Sequence, residues 1–67
     1  MDAVLFWGLL RTKGYNIAKL CAETKIPRSR MYRRLESNGR TMTLGEVDRI
    51  RQVLGLTERE TTEVFLR

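Results

Sequence analysis

The stretch Arg28-Ser29-Arg30-Met31-Tyr32-Arg33-Arg34 concentrates the chain's most distinctive chemistry, with arginine at four of seven positions. A guanidinium is a planar fork of N–H donors that stays charged at any physiological pH. It matches phosphate oxygens and the acceptor edge of guanine. Met31 and Leu35 stand four residues apart, the spacing of one helix face. At about 100° per residue, a helix that buries these two points Ser29, Arg33 and Glu36 directly outward. Arg28 and Tyr32 then flank one side and Arg30 the other. The chemistry this pattern offers is the binding of a polyanion, not the making or breaking of bonds.

Other chemistries find little to work with. The chain has no histidine and a single cysteine, Cys21. That excludes an intramolecular disulfide and a cysteine-based metal site, and leaves histidine acid/base work without its residue. No nucleophile has a base beside it, and no glycine-rich loop is placed to cradle a phosphate. The expectation is a protein that is not an enzyme, with no cofactor, no metal and no small-molecule substrate. The apolar run Val4–Leu10 is far shorter than a membrane span, and Asp2 precedes it where a signal peptide would carry basic residues. A cytoplasmic location, with no membrane partner, is expected.

Charge is unevenly distributed. The 67 residues carry a net +5. Residues 11–40 hold nine Lys/Arg against two acids, a local +7, while the rest hold four against six, a local −2. Such asymmetry favours a polyanionic partner for the middle of the chain.

The elements that must position these residues read as five helices and no strand. Asp2 caps a first helix to about Thr12, with Leu5, Phe6, Leu9 and Leu10 inward and Gly14 as its stop. Asn16 caps a second, whose Ile17, Leu20, Cys21 and Thr24 fall on one stripe. Cys21 is there expected to be a buried hydrophobe, not a reactive thiol. Pro27 ends the backbone preference at Ile26 and opens a third helix, 27–37, closed by Asn38-Gly39. Thr43 and Glu46 form a capping box for a fourth helix to about Leu54, with Leu44, Val47, Ile50 and Leu54 as its inner face and Gly55 as its stop. Thr57 and Glu60 form a second box for a short fifth helix carrying Val64 and Phe65. One all-α domain over residues 1–67 is expected.

Helices two and three are joined by about three residues and share apolar anchors at Leu20, Cys21, Ile26, Met31 and Leu35. Two short helices so linked can cross steeply over one small core. The segments RTKGYNIAKLCAETKIPRSRMYRRLESNGR, TMTLGEVDRIRQVLGL and ERETTEVFL resemble, in order and spacing, the lambda-repressor-like (Cro/repressor, XRE-type) helix-turn-helix domain. The likeness covers Leu9 to Phe65, and in particular the chain resembles the small phage-derived regulators of Gram-positive bacteria. It implies a compact five-helix fold with the helix-turn-helix at about 16–37.

The resemblance also implies roles. Arg28, Ser29, Tyr32 and Arg33 match the DNA-facing positions of the recognition helix. Asn16 and Ile17 match the start of helix two, which usually touches phosphate, and Arg40 matches a backbone-contact loop. Arg30 and Arg34 either touch phosphate or pair with Glu23 or Glu36. Lys25 and Arg40 add long-range attraction, whereas Lys13 and Lys19 are expected to be solvated. Two positions depart from the family. Lys25 stands where Gly is common, so a locally different turn is expected, because Lys tolerates positive φ poorly. Ile17 stands where a polar residue is common and cannot donate to phosphate, which leaves that contact to Asn16.

The function expected is a sequence-specific transcriptional regulator, a repressor or Cro-like protein, that binds double-stranded DNA as a homodimer. The other reading is an interaction module that binds and modulates a second regulator, in the manner of an anti-repressor. It rests on Trp7, which lies off the inner face of helix one, and on Phe65. Each is either a partly buried core residue or a partner or dimer contact.

Overall fold

The computed structural model describes residues 1–66, and four of its five helices start where a side chain satisfies a backbone N–H group. The elements are α1 (Ala3–Thr12), α2 (Ile17–Thr24), α3 (Arg28–Glu36), α4 (Leu44–Leu54) and α5 (Glu58–Phe65). Among the described residues no strand occurs. Asp2 accepts from the Leu5 N–H at 3.0 Å and Asn16 from the Lys19 N–H at 2.8 Å. Thr43–Glu46 and Thr57–Glu60 each form the reciprocal capping box. These bonds link residues three apart, so they form wherever the local sequence places them.

The helix ends are equally local. Gly55 (φ 67°) lets the Leu56 N–H reach back to the Arg51 carbonyl at 3.0 Å, closing α4. A left-handed residue is what that closure demands. α3 closes through Asn38 (φ 55°) and Gly39 (φ 76°), with the Gly39 N–H on the Arg34 carbonyl at 2.8 Å. Pro27, at ψ 145°, is extended and serves as the N-cap, so α3 begins one residue later than its Pro suggests and ends one residue before Ser37.

One core joins the five helices. It is built from Phe6 and Leu10 of α1, Ile17, Leu20 and Cys21 of α2, Met31 and Leu35 of α3, Ile50 and Leu54 of α4 and Val64 of α5, with Ile26 and Leu56 supplied by the connections. Full burial of each large side chain contributes about 1.5–3 kcal/mol. Ile17 is thus a core residue, in accord with its apolar character. Thr24 is buried too, its hydroxyl donating to the Leu20 carbonyl at 2.7 Å. α2 packs on both α4 and α3, and α1 packs on α5. The Asp2 N–H donates to the Val64 carbonyl at 2.7 Å, which ties the start of α1 to α5. The radius of gyration is 10.5 Å, close to the roughly 11 Å of a compact chain this long. No helix of the described residues is long and apolar enough to cross a membrane.

The inner face of α4 differs from its sequence reading. Ile50 and Leu54 are buried in the core, but Val47 is only half-buried and does not pack against it, Val53 packing there instead; Leu44 is 88 % exposed, and Glu46 is buried. Leu44 lies about 90° around the helix from the mean direction of Val47, Ile50 and Leu54. At the first position of the helix it overhangs solvent, while Glu46 faces α3.

Candidate nucleic-acid interface

α3 is a two-sided element. Met31 is wholly buried and Leu35 nearly so, while Arg28, Ser29, Arg30, Tyr32, Arg33 and Glu36 are all exposed. The i, i+4 pair fixes the rotation of the helix, and the rotation presents the arginines. Tyr32 is half exposed beside them.

The turn into α3 departs from its sequence reading. Lys25 adopts the left-handed conformation in full (φ 65°, ψ 21°), its N–H donating to the Cys21 carbonyl at 3.0 Å. A lysine therefore stands in a backbone conformation that glycine ordinarily takes. A non-glycine residue held there costs about 1 kcal/mol or a little more. Burial of Ile26 on one side of the turn and Met31 on the other outweighs it. The Lys25 side chain points out, exposed, next to the N-terminus of α3.

The Lys and Arg side chains among the described residues fall into two sets, with Arg11, exposed on α1 and without a side-chain partner, apart from both. One set is engaged within the fold. Lys13 Nζ stands 3.5 Å from Glu60, Lys19 Nζ lies 4.5 Å from the centroid of the Tyr15 ring, and Arg49 donates to the Thr24 carbonyl at 3.3 Å. Arg51 pairs with Asp48 at 2.8 Å, and Arg59 stands 4.0 Å from Glu63. Lys13 and Lys19 are therefore not merely solvated, because Glu60 of α5 and the Tyr15 ring come within reach once α1 packs on α5 and α2 follows Tyr15. Arg34 is also in this set. It pairs with neither Glu23 nor Glu36: its Nε donates to Glu46 at 3.2 Å, and Glu23 instead accepts from the Tyr15 hydroxyl at 2.8 Å. The burial of Glu46 against α3 is what redirects Arg34.

The other set is Lys25, Arg28, Arg30, Arg33 and Arg40. All five are exposed, and none makes a hydrogen bond or ion pair through its side chain among the described residues. They lie on α3 and on the connections at its two ends. Arg40 sits in the loop 37–43, which is braced by the Ser37 hydroxyl on the Arg34 carbonyl at 2.8 Å and by a 3.0 Å contact between the Ser37 and Thr41 hydroxyls. Asn16, exposed, spends its carbonyl oxygen on the cap of α2 and keeps its amide N–H groups.

α3 is also the one helix of the five without a side-chain N-cap bond, and no acid stands in its first turn. Arg28 and Arg30 are placed where the helix dipole is positive, an arrangement that opposes folding slightly. The first backbone N–H groups of α3 thus have no side-chain acceptor.

Two expected contacts separate in the structure. Phe65 is half-buried, edge-on to Phe6 with ring centroids 6.4 Å apart, so it joins α5 to α1. Trp7, 43 % exposed, stands edge-on to Phe6 with ring centroids 5.9 Å apart. Cys21 is buried at the α2–α3 junction. Desolvation raises its thiol above the usual range, and the Arg28 charge only partly opposes that. It is a packing residue of the core. No His/Cys/Asp/Glu cluster able to hold a metal exists among the described residues.

The residues that sequence reasoning missed are those defined by long-range partners. Leu56 closes the core from a connection, and Glu46 accepts from α3. Neither has a local signal beyond its apolar or capping identity. Comparison of the chain with protein-family models, with curated proteins and with solved structures finds no match in any of the three.

Proposed function

We propose that the protein is a sequence-specific double-stranded DNA-binding regulator, with α2 and α3 acting as a helix-turn-helix and α3 as the helix that enters the major groove. The carrying observation is the partition of cations. Five exposed basic side chains without internal partners gather on α3 and its two flanking connections, while the cations elsewhere on α1, α2, α4 and α5 are mostly engaged. Folding gains nothing from leaving these five unpaired, and a polyanion would pair them all. The uncapped start of α3 supports the same reading, since backbone N–H groups there suit a phosphate oxygen.

In this reading Arg28, Ser29, Tyr32 and Arg33 meet base edges, and Arg30, Lys25, Arg40 and the Asn16 amide meet the backbone. Guanidinium bidentate to guanine supplies discrimination, and phosphate contacts supply register and most of the affinity. Two copies on a two-fold axis would set their α3 helices in major grooves about 34 Å apart.

The experiment is binding of a random duplex pool, followed by anisotropy titration of the selected duplex at several salt concentrations. Five neutralised phosphates predict a log–log salt slope of about −4.5. A palindromic consensus with that slope is the expected result. Absence of binding to every duplex at low salt would overturn the proposal.

A further inference from the structure

We propose a second recognition site on this chain: a groove between α1 and the start of α2 that takes an acidic, apolar segment of a partner protein. The groove is lined by Trp7, Leu10, Arg11, Tyr15, Asn16 and Ile17 and encloses about 320 Å³. That lies at the small end of binding cavities, enough for one large side chain and the backbone beside it.

Its walls are built and held. Trp7 is fixed edge-on against the buried Phe6. Tyr15 is fixed at both ends, its hydroxyl donating to Glu23 and its ring under the Lys19 ammonium. Leu10 and Ile17 form an apolar floor contributed by the core. One turn before Trp7, Val4 is 84 % exposed and extends the apolar strip along α1. An indole left this open is a surface that solvent alone does not favour.

Charge complementarity selects the occupant. Arg11 is exposed and makes no side-chain hydrogen bond or ion pair among the described residues, and the six lining residues include no acid, the Glu23 carboxylate behind Tyr15 being taken by the Tyr15 hydroxyl at 2.8 Å. A ligand that buries an apolar side chain between Trp7 and Tyr15 therefore meets a free guanidinium at the rim. A carboxylate one or two residues from that side chain is the group that fits. Trp, Tyr and Arg are also the residue types that dominate binding energy at protein interfaces. A nucleic-acid backbone would satisfy Arg11 but leave the apolar walls unfilled.

Trp7 is the chain's only tryptophan, so the intact protein reports on its own groove. The probe is a capped octapeptide with one central Phe flanked by Asp residues, titrated while Trp7 emission and the backbone amide shifts of Arg11 and Ile17 are followed. Controls are the same peptide with Lys flanks, the same peptide with Ala for Phe, a short DNA duplex, and dilution of the protein alone. The Asp–Phe peptide is expected to shift Trp7 emission and both amides, and neither control peptide to do so. Arg11→Gln is expected to weaken binding about fivefold, and Trp7→Ala, followed by the amide shifts, to abolish it. Circular dichroism identifies variants that keep the fold. No response to the Asp–Phe peptide at millimolar concentration would overturn the proposal. So would equal binding of the Lys-flanked peptide, a shift of Trp7 emission with duplex alone, or a concentration-dependent emission showing that a second copy fills the groove. DNA binding through α3 stands or falls separately, on the salt slope.

Discussion

The guanidinium of Arg34 donates from Nε to Oε1 of Glu46 at 3.2 Å, and the same oxygen accepts the Thr43 N–H at 2.9 Å. One carboxylate oxygen therefore fastens α3 to the first turn of α4 and completes the α4 capping box. It also explains why Arg34 differs from its three neighbours: it is a structural residue within an otherwise exposed cluster. Substitution of Glu46 by Ala removes a bond to a charged donor and half of a cap. It is expected to cost about 2–3 kcal/mol of stability, read by urea denaturation. Arg34→Ala should destabilise similarly in sign while leaving the DNA salt slope unchanged. A slope reduced by about one unit would instead place Arg34 among the phosphate contacts.

The same pair predicts an acid limit. Burial raises the Glu46 carboxyl, but the Thr43 N–H and the Arg34 guanidinium outweigh it, and the net shift is below the ordinary value of 4.5. Glu60 is also lowered, first by the Thr57 N–H and then by Lys13. A depressed folded-state value means that the unfolded chain takes up protons first. The stabilisation is complete above 4.5 and is lost as pH falls through the folded-state value. Urea midpoints measured from acid to neutral pH should fall on acidification. Glu46→Gln, which keeps an acceptor but cannot titrate, should flatten that fall.

Lys25 is a trade between backbone and charge. Its left-handed conformation costs about 1 kcal/mol that glycine would not pay. Lys25→Gly is therefore expected to raise stability by about 0.5 kcal/mol, after the greater entropy of glycine in the unfolded chain is deducted. If Lys25 neutralises a phosphate, the same variant should lower the salt slope by about 0.9. Opposite movement of stability and DNA affinity in one variant is the expected signature.

The unpartnered arginines should behave differently from the paired ones. Arg28→Ala and Arg33→Ala are each expected to cost about 1–3 kcal/mol in binding of the selected duplex and to relax its sequence preference. Arg30→Ala and Arg40→Ala should weaken all duplexes alike. Arg51→Ala, which breaks only an exposed pair with Asp48 on α4, should leave DNA binding unchanged. A matched loss from Arg51→Ala would mean that binding follows total charge and not the α3 face.

Met31 orients that face. It is fully buried at the centre of α3, and Met31→Ala leaves a cavity that costs about 2–5 kcal/mol. A chain of this length has only about 3–10 kcal/mol in hand. Thermal unfolding followed by circular dichroism should show a large drop in midpoint, with DNA binding recovered on cooling below it.

The starts and stops of the helices were legible because their causes are local. Asp2, Asn16, Thr43 and Thr57 each satisfy an N–H three residues on, and Gly55 closes the turn that precedes it. The apolar period likewise set the inner stripe of α2 and the outward arginines of α3. What remained hidden depends on which helix lies opposite. Leu44 looked as apolar as Ile50, yet only packing decides that Leu44 overhangs solvent and Glu46 is covered by α3. Arg34 had acids nearby in sequence, but its partner is twelve residues away, and Lys13 meets Glu60 across 47 residues. Lys25 shows a third case, where core burial on both sides of a turn imposes a conformation its own side chain disfavours. Caps and periodicity are written in neighbouring residues. Ion-pair choice, the separation of free from engaged cations, and the groove beside Trp7 arise when distant segments share one core.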